Sequence, residues 1–270
     1  RTMPKNPIPP SIFKYEAFSA QSLLNLKSQV IYFGPSSGFN DPYDCALKAS
    51  IADPTDDDVQ RVFDRLAAKT QPTYSGLLAP EIKAQFVKVA NLAFSVQRDK
   101  FVEGVGVTCL SEQNDDLLMW SHYGGSYRGF CLEFDTAYAP FNIIRKVKYV
   151  EEMPQATLEE VMIRDDDDLF LDFLCTKSVA WKYEKEWRAI HDVAGTPVGY
   201  EAGALKAIYF GPDIDPQARE ILFLILDGQN EEVAYWVGSR SATEFKVQFE
   251  SAGYTSFIEA KRKGSSSRDA

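Results

Sequence analysis

Phe130-Cys131-Leu132-Glu133-Phe134-Asp135 is the stretch that most clearly sets the fold of this chain. Successive side chains of a strand point to opposite faces, so Phe130, Leu132 and Phe134 are predicted to share one buried face. The opposite face then carries a thiol and two carboxylates. Such alternation is typical of a strand in an antiparallel sheet that has one face packed on a core.

Other extended segments lie on both sides of this strand along the chain. Apolar and β-branched runs predict strands at residues 12–15, 30–33, 105–109, 145–150, 187–193, 206–210 and 245–249, with 254–258 as a partner of the last. Strands that cluster in the middle and at the end of a chain, with helices between them, indicate the α+β class. We therefore predict a mixed, mainly antiparallel sheet core in a single domain spanning residues 11–260.

A helical insertion is predicted at about residues 53–103, where it would cover the sheet. Thr55 with Asp58 three residues later resembles a capping box, which marks the start of a helix. A second helix is predicted from Pro80, and its apolar side chains at helical spacing form one stripe of Ile82, Phe86, Val89, Ala93 and Phe94.

Three more helical segments follow from caps and spacing. The first covers residues 20–26, and the second begins after Thr157, where Glu160 completes another capping box, and runs to Lys177. The third follows Asp215 as the N-cap, with Pro216 at its first position.

Size and charge restrict the class of protein. The chain has 270 residues, 29 lysines and arginines against 39 aspartates and glutamates, and a net charge of -10. That balance disfavours a broad nucleic-acid surface, because such surfaces neutralise phosphates with basic side chains. No apolar run is long enough to cross a bilayer, so we expect no membrane partner. The acidic blocks at residues 56–58 and 165–168 are predicted to begin helices or turn loops, and no metal site is predicted there.

The cysteines at positions 45, 109, 131 and 175 have no close pair among them. That spacing disfavours a zinc knuckle and predicts reduced, buried thiols in a cytoplasmic protein. Residues 1–10 form a proline-rich lead without the apolar core of a signal peptide, and residues 261–270 are predicted to form a flexible tail.

The segment Trp181-Lys182-Tyr183-Glu184-Lys185-Glu186-Trp187-Arg188 carries the densest chemistry of the chain. If it is extended, Glu184, Glu186 and Arg188 share one face, and Arg188 keeps Glu186 ionised. A plainer interpretation makes Glu186 and Arg188 a half-exposed ion pair and the two tryptophans core residues. The sequence leaves both interpretations open.

Two loops hold further candidates. Asn40 and Asp41 lie in the Phe39–Asp44 stretch, a turn-forming sequence that could simply be rigid or could form the wall of a ligand site. The Met119–Tyr123 stretch contains Trp120, Ser121, His122 and Tyr123, and this histidine could be an acid, a base or a hydrogen-bonded structural residue. Ser121 lacks the surroundings of a nucleophile elbow, and the two histidines of the chain make a transition-metal site improbable.

These clusters, in this order, resemble the bacterial family catalogued as domain of unknown function 2971, and the resemblance runs over most of the chain. The motifs that carry it are Phe13-Lys14-Tyr15, Phe39-Asn40-Asp41-Pro42-Tyr43-Asp44, Cys109-Leu110-Ser111, Met119-Trp120-Ser121-His122-Tyr123, Gly129-Phe130-Cys131, Glu133-Phe134-Asp135, the Trp181–Arg188 segment and Ile208-Tyr209-Phe210-Gly211.

A more distant similarity is to the ADP-ribosyltransferase superfold. It implies NAD as a co-substrate, with Lys14 or Tyr15 on the adenosine side, Tyr123 or Trp120 stacked on the nicotinamide, and Glu186 on the ribose. Glu184 would correspond to the second glutamate of members that modify side chains. No histidine or arginine lies on the first predicted strand, where that superfold carries one.

The residues suit this chemistry, because an ionised carboxylate stabilises the oxocarbenium-like state in which an N-glycosidic bond breaks. Glu186, with Glu184 and His122, is the catalytic candidate. Aromatic rings could sandwich a base, and cations could neutralise a diphosphate, which adds as binding candidates Trp120, Tyr123, Trp181, Lys177, Lys182 and Arg188.

Three functions are compatible with the sequence. The first is a transferase or N-glycohydrolase that uses a nucleotide, in a bacterial toxin or phage-defence context, with water, protein or nucleic acid as acceptor. The second is a non-catalytic module that binds a nucleotide or a protein. The third is a metal-dependent nuclease, which would need a shared ion between Asp41, Asp44, Glu184 and Glu186. The first two predict that Asn40, Tyr123 and Glu186 converge at one cavity.

Overall fold

The computed structural model describes residues 7–46, 49–70, 78–163, 168–227, 229 and 232–255. Its strands are β1 Ser11–Glu16, β2 Val30–Pro35, β3 Ser50–Ile51, β4 Gly106–Ser111, β5 Phe130–Asp135, β6 Arg145–Lys146, β7 Lys148–Val150, β8 Gln155–Ala156, β9 Thr176–Ser178, β10 Glu186–His191, β11 Thr196–Gly199, β12 Leu205–Phe210, β13 Ala234–Arg240 and β14 Val247–Ala252. Its α-helices are α1 Ala20–Lys27, α2 Asp56–Thr70, α3 Pro80–Gly104, α4 Leu117–His122, α5 Leu158–Ile163, α6 Asp168–Leu174 and α7 Pro216–Leu226.

The main sheet has the strand order β11-β2-β4-β1-β5-β12-β13-β14, and β10 pairs with β4 and with β6. Its pairings are antiparallel apart from the parallel pair of β12 and β13. Strand β5 lies in the middle, and Phe130, Leu132 and Phe134 are buried in the largest apolar cluster. The predicted α+β class and mainly antiparallel sheet are therefore confirmed.

The predicted helical insertion is also present. Helices α2 and α3 pack with α5 and α6 around a second apolar cluster. Both capping boxes form, since the Asp58 carboxylate accepts from the Thr55 backbone and the Glu160 carboxylate accepts from the Thr157 backbone. None of the helices in the described ranges combines the length and apolar character needed to cross a bilayer.

The predicted apolar stripe of α3 was partly wrong. Ile82 and Val89 are 52% and 50% exposed, whereas Ala90 and Phe94 are buried. A helix repeats every 3.6 residues, so a chain rich in apolar positions offers more than one stripe, and the packing partners decide which one is buried. The buried stripe of α3 follows Phe86, Ala90 and Phe94, which are four residues apart.

Three predicted elements near the site differ in the structure. The strand predicted at residues 145–150 breaks at Val147, whose backbone N–H donates to the Glu186 carbonyl, so that β6 pairs with β10 and β7 pairs with β9. Lys177 lies on β9 and not in a helix, because α6 ends at Leu174. Residues Val179–Glu184 form a 3-10 helix, and Lys185 adopts φ 44° to lead into β10.

Towards the end of the chain, Phe245 is 98% exposed, and β14 begins two residues after it. Strands β11 and β13 are not predicted from the sequence, because apolar and polar residues do not alternate clearly in them. The predicted strand at 254–258, the acidic block at 165–168, the N-terminal lead and the tail at 261–270 lie wholly or partly outside the described residues. The boundaries proposed for the single domain therefore stay predictions.

Candidate functional site

Strand β10 brings Glu186 and Arg188 to the same face, as their spacing predicts. The guanidinium donates from Nε to Glu186 Oε1 at 2.7 Å and from Nη2 to Glu186 Oε2 at 3.0 Å. Neither residue reaches the surface, since Glu186 is 3% exposed and Arg188 is 0% exposed. Burial alone would raise the pKa of Glu186, but the charges of Arg188 and Lys177 outweigh it and lower this pKa to about 2.

The loop that precedes β3 supplies the second partner of Arg188. Arg188 Nη2 donates to Asp44 Oδ1 at 2.6 Å, and Arg188 Nη1 donates to Cys45 Sγ at 3.0 Å and to the Leu174 carbonyl. The Phe39 ring lies 5.4 Å from the guanidinium carbon. Arg188 is thus fully hydrogen-bonded inside the protein, which is the condition under which a buried charge is tolerated.

Lys177 on β9 joins three carboxylates. Its Nζ lies 2.6 Å from Glu184 Oε2, 3.1 Å from Asp44 Oδ2 and 3.3 Å from Glu186 Oε2. We call Asp44, Lys177, Glu184, Glu186 and Arg188 the buried ionic cluster. With three carboxylates against two cations, the cluster holds one negative charge in excess when all five groups are ionised.

The lysine ammonium stands where a metal ion would stand in a carboxylate site. Within the described part of the chain, no group of three or more histidine, cysteine, aspartate or glutamate side chains is arranged to hold a metal. Of the four residues required by the nuclease hypothesis, Asp44, Glu184 and Glu186 already share Lys177 as their cation.

Glu184 differs from Glu186 in its partners. Its Oε1 accepts a hydrogen bond of 2.6 Å from the Tyr123 hydroxyl, and its cation partner is the ammonium of Lys177. Burial and the neighbouring charge of Glu186 raise its pKa to about 6, although Lys177 opposes them. Burial and the hydrogen bond to Glu184 likewise raise the pKa of Tyr123, although Lys177 opposes them. The cluster therefore contains one fixed anion and one carboxyl that titrates near neutrality.

Four aromatic side chains lie over this part of the cluster, and we call His122, Tyr123, Trp181 and Tyr183 the aromatic rim. The His122 ring centroid lies 6.1 to 6.2 Å from those of the other three, and its Nδ1 is 2.9 Å from the Tyr183 hydroxyl. The Trp181 and Tyr183 rings are 6.0 Å apart. His122 is exposed, and the other three are half-buried. The rim therefore offers ring surface beside the buried carboxylates.

A cavity of about 450 Å³ opens beside the cluster. Lys177 and Trp181 line it and connect it to the cluster and to the aromatic rim. The rest of its lining consists of Asp41, Tyr43, Val150, Glu151, Glu152, Met153, Pro154, Thr176 and Ser178. Asp41 accepts a hydrogen bond from the Tyr43 backbone at 2.9 Å, which fixes the predicted turn.

The predicted convergence of Asn40, Tyr123 and Glu186 at one cavity is not seen here, because none of the three lines this cavity. Tyr123 donates to Glu184, and Lys177 bridges Glu184 to Glu186. Glu186 itself does not reach the surface or the cavity lining. The ionised face predicted for this segment is therefore present, but it is turned inward.

The other candidates lie apart from the cluster. Tyr15 and Trp120 pack edge to face at 5.1 Å in an apolar cluster against which Tyr123 and Tyr183 rest, and Trp120 is fully buried. Lys14 pairs with Glu16 at 3.6 Å, and Ser121 is half-buried on α4. The structure thus makes Tyr15 and Trp120 a backing layer for the aromatic rim.

Three residues of the site were not among the predicted site residues. Asp44 was considered only as a metal ligand, and the Tyr149 hydroxyl, which accepts from the Glu186 backbone N–H at 2.8 Å, was predicted only as a strand residue. Tyr183 completes the aromatic rim. The one available signal was the presence of Asp44 and Tyr183 in the two densest motifs, whereas nothing in the sequence singles out Tyr149.

The comparisons with known proteins show similarity to a family over part of the chain and indicate no activity. A family model described as Protein of unknown function (DUF2971) matches residues 119–189. The chain is similar to this family over that segment, which contains the aromatic rim and every member of the buried ionic cluster except Asp44. No curated protein and no solved structure matches the chain significantly. The similarity to the ADP-ribosyltransferase superfold stays a prediction.

Glu184 should make the stability of the protein depend on pH. Its pKa is about 6 in the folded chain against 4.5 ordinarily, so the folded state binds the proton more tightly than the unfolded state. This contribution is complete below pH 4.5 and is lost as the pH rises through 6, which amounts to about 2 kcal/mol. Urea unfolding of the wild type and Glu184→Gln between pH 4.5 and 7 should show this fall in the free energy of unfolding only in the wild type. If the free energies of both proteins fell in parallel with pH, the raised pKa would not belong to Glu184.

Proposed function

We propose that the chain is an enzyme that cleaves the N-glycosidic bond of a nucleotide, with NAD as the first substrate to test. In this proposal ADP-ribose passes to water or to a protein or nucleic-acid acceptor. The observation that carries it is that two carboxyl groups share the ammonium of Lys177 and have opposite pKa shifts. The pKa of Glu184 is raised to about 6, and the pKa of Glu186 is lowered to about 2. Environments that separate two pKa values in this way are typical of acid and base pairs.

The two carboxyl groups suit different parts of the reaction. Departure of the base leaves positive charge on the ribose, and the excess negative charge of the buried ionic cluster would stabilise it. Glu184 titrates near neutrality, so it could exchange a proton with the site through the Tyr123 hydroxyl to which it is bonded. Glu186 would act at a distance by holding Lys177 and Arg188 in place.

The residues fit one end of NAD better than the other. The aromatic rim could stack the nicotinamide ring, and the excess negative charge of the buried ionic cluster suits the positive charge of that ring. The diphosphate has weaker support, because Lys177 and Arg188 are buried and already paired. Of the cations predicted to contact the diphosphate, Lys182 is exposed, and in the proposed complex it makes that contact.

One observation favours a second candidate, a non-catalytic module that binds a nucleotide or a protein. Lys177, Glu184, Glu186 and Arg188 all make ion pairs within the protein and are at most 4% exposed. The sole role of a cluster of this kind can be to hold the loop and the strands in register, without any part in catalysis. We do not propose the nuclease, because Lys177 occupies the position that its metal ion would need.

A nicotinamide-release assay with NAD tests the enzyme. We expect release by the wild type and a loss of about 10²- to 10⁴-fold in Glu184→Gln, since glutamine cannot transfer a proton. Tyr123→Phe should lose activity in the same direction. Glu220→Gln on α7, an exposed glutamate outside the site, should match the wild type.

Calorimetry with NAD on the same proteins separates the remaining outcomes, and thermal melts confirm that each variant is folded. Binding without release would favour the non-catalytic module. Absence of both binding and release would contradict both candidates, and equal release by Glu184→Gln would contradict the role of Glu184.

A further inference from the structure

We propose that the cavity between the Phe39–Asp44 turn, residues 150–154 and β9 binds an organic cation, a ligand that presents an alkylammonium or guanidinium group. This inference goes beyond the proposed function and does not depend on it, because it concerns a ligand that carries no nucleotide. It follows from the volume of the cavity, its aromatic and apolar walls and its charge.

The cavity has the size and walls of a small-molecule site. Its volume of about 450 Å³ lies within the range of about 300 to 1,000 Å³ that is usual for ligand pockets. Tyr43 and Trp181 provide two aromatic side chains, and Val150, Met153 and Pro154 provide an apolar wall. A ligand with an alkyl stem and a polar head could therefore bury its stem here.

The charges of the lining favour a positive head. Asp41, Glu151 and Glu152 line the cavity, and within the described ranges Glu151 and Glu152 take part in no ion pair. Both glutamates are exposed, so their carboxylates are free to meet a ligand. Carboxylates placed around a partly enclosed space attract cations and repel anions.

The single basic residue in the lining does not reverse this sign. Lys177 lies within 3.3 Å of three carboxylates, namely those of Asp44, Glu184 and Glu186, so its charge is more than balanced. Its Nζ also makes a cation–π contact within the protein, 5.0 Å from the Trp181 ring centroid. An anionic ligand would meet three lining carboxylates and no unpaired lysine.

The test compares cationic probes with a neutral isostere of one of them. Titration calorimetry at low salt and without nucleotide would use N-acetylarginine amide and its neutral isostere N-acetylcitrulline amide, with spermidine as the ammonium probe. We expect the arginine or the spermidine probe to bind at least about 10-fold more tightly than citrulline, as a cation–π contact together with carboxylates would give. The tighter of the two cationic probes identifies the class of head group.

Variants locate the site. The double variant Glu151→Gln, Glu152→Gln should weaken the cationic probe about 10-fold, and its fold should be unaffected because both side chains are exposed. Trp181→Leu should weaken it by about 3- to 30-fold. Glu220→Gln, which removes one negative charge from α7, should bind as the wild type does. Binding of both cationic probes no tighter than that of citrulline, absence of binding, or an equal loss in Glu220→Gln would overturn the proposal.

Discussion

Replacement of Arg188 by methionine should lower the free energy of unfolding by about 3 to 5 kcal/mol. The side chain is fully buried, and its guanidinium is the direct partner of both Glu186 and Asp44. Methionine fills much of the same volume without the charge, so the two carboxylates would share Lys177 alone. The folded state loses stability because the negative charges of these carboxylates are then less fully neutralised in an interior of low dielectric constant.

Arg240 offers a matched control for this measurement. Like Arg188 with Glu186, it forms a two-pronged pair with a carboxylate, at 2.6 and 2.7 Å from Asp213, but its side chain is 53% exposed. Arg240→Met should therefore cost about 1 kcal/mol or less. Urea unfolding at pH 7 of the wild type and both variants gives the comparison, and equal losses would show that the burial of Arg188 is not what makes its pair important.

A second large effect is expected on the other face of the same strand. Trp187 is 1% exposed in the main apolar cluster, and its indole N–H donates to Glu112 Oε1 at 2.7 Å. Trp187→Ala should lower the free energy of unfolding by about 3 to 5 kcal/mol, because it removes a large ring and leaves a cavity. Trp187→Phe keeps most of the ring and should cost about 1 kcal/mol for the lost hydrogen bond.

Trp236 on β13 serves as the comparison for Trp187, since it is only half-buried and stacks on Tyr209 at 6.1 Å. Its replacement by alanine should cost clearly less than that of Trp187. Denaturant unfolding followed by circular dichroism, a signal that does not rely on tryptophan fluorescence, would measure both losses of stability. A loss in Trp236→Ala as large as that in Trp187→Ala would mean that β10 is not the strand on which the core depends.

The sequence predicted those features that depend on neighbours in the chain. The alternation in residues 130–135, the capping boxes at Thr55 and Thr157, and the shared face of Glu186 and Arg188 all follow from local periodicity and capping chemistry. Each of these is decided within about six residues, where steric and hydrogen-bonding rules are strong.

Features decided by distant contacts could not be predicted in this way. Lys177 was assigned to a helix because apolar residues precede it at helical spacing, yet pairing of β9 with β7 places it in a strand. Glu184 would share the face of Glu186 if the segment were extended, but it ends a 3-10 helix, and Lys185 adopts a left-handed backbone conformation before β10 begins. Asp44 belongs to the cluster only because a loop from the first fifth of the chain folds against β10.

The contact between Asp44 and Arg188 joins residues 144 positions apart. Closing so long a segment lowers chain entropy, and the bond that rewards this closure forms only when β10, β9 and the turn are all in place. We therefore expect the five charged groups to assemble at a late stage of folding and to separate together. In partially folded forms of the chain the pKa of Glu184 would then not be raised. Any reaction that depends on this raised pKa is therefore confined to the fully folded protein.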